Sequence, residues 1–245
     1  MKNQQNSLKY RAYFIAVFSL LSSASVMAGL ASGIATRGLT SATSKVIRNS
    51  ISSHSPSSNS EGEFNSLSAA IPQGITDVQG KKAAFIINAV HRYRLGNSLP
   101  QDQRLSTAAF DKIKAEFSGG VSTNDKLYIR RVSNLHMFCQ LEAELYILSL
   151  LKNAAVPPDY VSSESKSHAN NMRKCTAHMK ALPGIPSDFS ISYIDVLKKY
   201  DTAEFKASLI GVKPGDSTSS SIKLLVEGMR GVRELMGNDL AVILN

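Results

Sequence analysis

The chain has only two cysteines, Cys139 and Cys175, and they stand almost symmetrically about Pro157-Pro158. A proline pair cannot continue a helix, and Pro157 disfavours helical geometry at Val156 before it. The spacing therefore predicts two helices that meet at this turn, one entering from Asp125 and stopping near Ala155, the other leaving toward Leu182. At the rise of an α-helix each cysteine lies roughly 27 Å from the turn. Folded antiparallel, the arms bring the two sulfurs to one level.

The apolar pattern agrees with that geometry. In the second arm Val161, His168, Met172, Cys175, Met179 and Leu182 recur at helical steps and mark an inward stripe. In the first, Tyr128, Val132, Leu135, Phe138, Cys139, Leu145 and Tyr146 form a broad apolar face with Cys139 toward one side. Each cysteine also has a histidine one turn away, on the side far from the loop: His136-x-x-Cys139 and Cys175-x-x-His178. Two chemistries compete for this end of the hairpin. A disulfide needs only Cys139 and Cys175. A metal site uses His136, Cys139, Cys175 and His178 for zinc, or soft sulfur ligands including Met172 or Met179 for copper.

The N-terminus weighs on that choice. Lys2, Lys9 and Arg11 make a positive start, Ala12 to Leu21 an apolar run, and Val26-Met27-Ala28 a small-residue exit. Residues 1–28 thus read as a secretory signal peptide cleaved after Ala28, which places the mature chain in the periplasm or outside the cell. The alternatives are an uncleaved membrane anchor, or the uncleaved signal of a secreted effector. In an oxidising compartment two cysteines favour one disulfide over a metal site and leave no cofactor to expect.

Residues 29–74 are dominated by Gly, Ser, Thr and Asn, and predict a disordered linker that ends in a weak helical patch at Leu67 to Ile71. Residues 75–245 predict the folded part. Asp77 reads as a helix cap. Ile75, Val78, Phe85, Ile86, Ala89, Val90 and Tyr93 read as an apolar stripe, with Lys81, Lys82, His91, Arg92 and Arg94 on other faces. Gly96 reads as the stop. Further helices follow from Ser106 to a break at Gly119-Gly120, through Tyr200 from a cap at Ser187 or Asp188, from Thr202 to Ile210, and from Thr218 to a stop at Gly237. Short extended pieces are conceivable only near 190–192 and 241–244. The sum is an all-α bundle of six or seven helices around the long hairpin.

Several polar residues fall on inward faces. Glu142 lies mid-face on the first arm, and the hairpin register puts Arg173 beside it, which predicts an ion pair. Arg131 reads as another ion pair at the edge of the core. His168 lies opposite Tyr146, which predicts a Tyr–His hydrogen bond. No nucleophile elbow, H-E-x-x-H pair, Walker loop or haem attachment motif is present, and Gly119-Gly120 lacks phosphate-loop spacing. The chain reads as a binding or interaction protein rather than an enzyme. Its formal charge of +9, falling to about +6 without residues 1–28, suits a protein partner or an anionic envelope surface. Nucleic acid is not expected as the partner, although the basic charge by itself does not choose between a membrane, nucleic acid and an acidic protein.

Overall fold

The computed structural model describes residues 60–152, 162–186 and 191–245, with only the backbone described at 98 and 191–195. The stretches read as signal peptide, as the body of the linker, as the Pro157-Pro158 turn and as the cap at 187–188 lie outside the described residues. Eight α-helices run through the described residues, with no strand among them. They are α1 (Ser60–Ala69), α2 (Asp77–Leu95), α3 (Thr107–Gly120), α4 (Thr123–Lys152), α5 (Ser163–Ala181), α6 (Ile191–Tyr200), α7 (Ala203–Ser208) and α8 (Ser217–Leu244), with two 3-10 turns at Gly96–Ser98 and Gln101–Gln103. The all-α bundle read from the sequence is the fold. None of these helices is long and apolar enough to cross a membrane.

Helix α4 is the axis. Buried residues fall at adjacent positions along it, including Tyr128, Ile129, Val132, Leu135, His136, Phe138, Cys139, Glu142, Ala143, Glu144, Tyr146 and Ile147. A helix with a single apolar stripe packs on one neighbour; a helix buried on several faces is surrounded. Accordingly α4 is flanked by α5 and α8 and is also touched by α1, α2 and α6. The α4–α5 pair is antiparallel, as the hairpin reading requires: position 139 meets 175, 142 meets 171, and 149 meets 165.

Helix ends follow local chemistry. Thr76, not Asp77, caps α2: its hydroxyl accepts from the Gln79 N–H, and Gln79 reaches back to the Thr76 N–H. Ser106 caps α3, Ser162 caps α5 and Thr202 caps α7. The Ser122 hydroxyl accepts the Asp125 N–H at the start of α4.

Three boundaries differ from the sequence reading. Helix α1 lies inside the stretch read as linker. It is anchored by buried Phe64, whose ring stands edge-on to His178, and by Ile71 just beyond it. Helix α3 runs through Gly119-Gly120, and α8 runs through Gly237 to Leu244 without a break. The cost of a glycine in a helix is about 1 kcal/mol, which burial of Met236, Leu240, Ile243 and Leu244 on the same helix exceeds. The apolar tail at 240–244 therefore packs as helix rather than as extended chain. Arg130 then binds the last carbonyls, donating to Leu244 O at 2.7 Å.

One contact fixes α2 against the far end of the hairpin. A Cβ at Gly80 would lie 1.7 Å from Pro183 O, and one at Gly184 would lie 2.0 Å from Asp77 O. Two glycines therefore permit a backbone-to-backbone approach between α2 and the turn after α5, and Gly184 also sits at φ +71°.

Candidate functional site

The two cysteines meet where the hairpin reading puts them. Cys139 and Cys175 are fully buried between α4 and α5 at disulfide distance, with Cα atoms 6.0 Å apart. Their flanking histidines do not join them. His136 turns toward α2, where it senses His91, while His178 lies under Phe64 of α1. The imidazoles thus leave the hairpin on different sides. Among the described residues no three side chains of His, Cys, Asp or Glu are grouped to hold a metal. Burial pushes His91 down to about 4 and His136 down to about 3, with the neighbouring His91 adding to the effect on His136.

Below the cysteines the α4–α5 seam is polar. Glu142 does not pair with Arg173. Its Oε2 accepts from Asn171 Nδ2 at 3.0 Å and lies 2.9 Å from His168 Nδ1, all three side chains being buried. The same Asn171 amide donates to Ser60 Oγ at 2.9 Å, which ties the start of α1 to the seam. Periodicity explains the exchange of partners: His168, Asn171 and Met172 share the inward face of α5, whereas Arg173 is about a hundred degrees further round, exposed, and bound to Asp201 at 3.4 Å. His168 likewise takes Glu142 rather than Tyr146. The Tyr146 hydroxyl faces Asp201 without a hydrogen bond of ordinary geometry, and burial first, then that carboxylate, pushes it well above the usual phenol range. Nearer the turn, Ser149, Ser165 and Ser162 form a buried hydroxyl chain at 2.7 and 3.0 Å.

On the opposite side of α4, Glu144 accepts a bidentate pair of bonds from Arg233 of α8, at 2.7 and 2.9 Å, with both groups buried. Burial raises the Glu144 carboxyl and the guanidinium opposes that rise. Sequence reasoning missed this pair. Its signal was present, since Glu144 lies about two hundred degrees from Glu142 on a helix buried all round. The buried carboxylates of α4, Glu142 and Glu144, thus have structural partners, whereas the buried Tyr128 and Ser133 hydroxyls have no hydrogen-bond partner among the described residues.

The surface between α2 and α3 is different. Val78, Lys81, Lys82, Phe85, Glu116, Phe117, Gly120 and Val121 line an open groove of about 440 Å³. Val78 is 61% exposed and Phe85 51% exposed, although both belong to the apolar stripe read from the sequence. Helix α2 carries two apolar rows: Ala83, Ile86, Ile87 and Val90 enter the core, while Val78 and Phe85 face out. Phe85 stacks on buried Phe117 with ring centres 6.0 Å apart.

Both walls of the groove are fixed. Lys82 Nζ and Gln79 Nε2 bind the Asp125 carboxylate at 2.7 and 2.9 Å, and Lys126 Nζ binds Ser118 O at 3.1 Å. The Lys82 bond, then that of Gln79, holds the Asp125 carboxyl below its usual range. The other basic residues of α2 are also committed: Arg92 donates to Gln103 O at 2.8 Å, and Arg94 grips Asp239. Lys81 is exposed and makes no ion pair among the described residues. The arrangement offers an apolar floor, a positive wall and one carboxylate opposite. Compared with family models, curated proteins and solved structures, the chain matches none.

Proposed function

We propose that this is an exported helical binding protein that takes a protein partner through the α2/α3 groove. The observation that carries the reading is an aromatic and an aliphatic side chain, Phe85 and Val78, held half-exposed or more over a groove whose walls are pinned by buried-end hydrogen bonds. Exposed apolar side chains grouped in one place on a charged surface mark interaction sites. A groove fixed in advance loses little entropy when it is filled.

Export is the second part of the proposal. It is supported by the charged start, apolar run and small-residue exit of residues 1–28, and by a cysteine pair at disulfide distance. Intact mass of the protein from its native compartment, alkylated without reductant, tests it. A chain beginning at Gly29 with both cysteines unlabelled is the expected result; an intact N-terminus with two labelled thiols refutes it.

The groove is tested by placing a photo-crosslinking amino acid at Phe85, with Lys223, an exposed site on α8, as the control. A discrete adduct at 85 and none at 223 is expected. Equal labelling at the two sites, or none at 85, refutes the groove.

A further inference from the structure

Building on that binding reading, we infer that the groove's occupant is an amphipathic helix with an acidic edge and a basic edge flanking a short apolar row. Four residues of α2 at helical steps, Val78, Lys81, Lys82 and Phe85, form one outward row, apolar at both ends and basic in the middle. Two further apolar side chains, Phe117 of α3 and Val121 just after it, close the floor. A trough between two helices is the surface into which a third helix lays side chains at steps of three and four. At Gly120 an added Cβ would meet nothing within 4 Å, so the trough runs out open rather than ending in a wall.

The charges select among occupants. Lys82 is neutralised by Asp125, which leaves Lys81 on the α2 wall and Glu116 on the α3 wall as the groove's uncommitted charges. An acidic side chain on one edge of the incoming helix meets Lys81, and a basic one on the other meets Glu116. The formal charge, +9 for the full sequence and about +6 without residues 1–28, favours approach of an acidic partner over a second copy of this chain. A second copy meeting through the same row would also bring lysines 81 and 82 of both copies together at the two-fold axis. An anionic bilayer satisfies Lys81 but presses Glu116 against like charge, and a flat surface leaves Phe117 untouched.

The test uses the full chain and two synthetic eighteen-residue helical peptides with the same leucine row. One carries glutamate on one edge and lysine on the other; its companion carries lysine on both. Binding is read by chemical-shift changes at Val78, Phe117 and Val121. The mixed-edge peptide should bind about ten-fold tighter than the all-lysine one at low salt, with the difference narrowing as salt rises. Lys81→Glu should reverse that preference, and Phe85→Asp should abolish binding of both, with Val78→Asp as a second variant and the thermal midpoint as the check on folding.

Equal binding of the two peptides, or none, overturns the inference. So does Phe85-dependent binding to phosphatidylglycerol vesicles, or a concentration-dependent dimer that Phe85→Asp dissolves. If neither peptide binds while the crosslink at 85 still yields a discrete adduct, the groove remains a binding site and only the charged-helix chemistry falls.

Discussion

The α4–α5 seam and the α2/α3 groove invert the usual placement of side chains. In the seam, charged and polar groups (Glu142, His168, Asn171) are buried, and each has a partner within 3.0 Å. In the groove, apolar groups (Val78 and Phe85) stand in water although an apolar core lies one helix face away. A buried polar group invites a catalytic reading, but here its hydrogen bonds go to groups that hold helices together. Full burial of such an apolar side chain would stabilise the fold by roughly 1.5–3 kcal/mol, part of which Phe85 recovers by stacking on Phe117. On the reading proposed above, the exposed apolar row is the surface that meets a partner, and the buried charge serves the fold.

The comparison breaks most sharply at Glu144 and Arg233. Truncating either to alanine leaves the other buried and unpaired, and should cost about 3–5 kcal/mol in urea unfolding. Replacing both together by leucine and methionine should recover most of that loss. A small effect of the single changes would mean that this face of α4 is wetter than its burial indicates.

Next comes the cysteine pair. A bridge between Cys139 and Cys175 would close a separation of 36 residues, and chain entropy assigns such a loop about 3–4 kcal/mol. Oxidised protein should therefore unfold at distinctly higher denaturant than the Cys139→Ala/Cys175→Ala variant, and reductant should remove the difference. If reduction leaves the midpoint in place, the packing of α4 on α5 does the work alone.

Acid probes the same core through histidine. His91 and His136 are held neutral below the ordinary range, so the unfolded chain binds more protons than the folded one between about pH 6.5 and the depressed values. Stability is full above the unfolded value and is lost as pH falls through that window, on the order of 3 kcal/mol by pH 4 for the buried His136. Asp125, also depressed, adds a loss at still lower pH. Urea midpoints measured from pH 7.5 to 4 should fall steadily, and His136→Phe should flatten the slope. A slope unchanged by that variant would move the acid sensitivity elsewhere.

The smallest expected effect is at the groove. Phe85→Asp should cost on the order of 1 kcal/mol, because half of the ring already faces water and what is lost is the stacking on Phe117. A loss comparable to that of the seam variants would make Phe85 part of the fold and remove the contrast between the two regions.

The sequence alone determined the hairpin and its register. Proline geometry, helical periodicity and the placement of two cysteines are local rules, and they put 139 against 175 before any contact was known. The helix starts at Ser106 and Thr202 and the stop at Gly96 were legible for the same reason. Three things belonged to the tertiary structure. Glu144 meets Arg233 across 89 residues of chain, a pairing no local rule reaches. Glu142 takes His168 and Asn171 over Arg173 because the inward face of α5 is fixed by packing, not by nearness in register. And α2 carries two apolar rows of similar strength, of which only the neighbours α4 and α8 decide which is buried. Periodicity tells that a face is apolar; what covers it, and what is left uncovered for a partner, depends on where the rest of the chain goes.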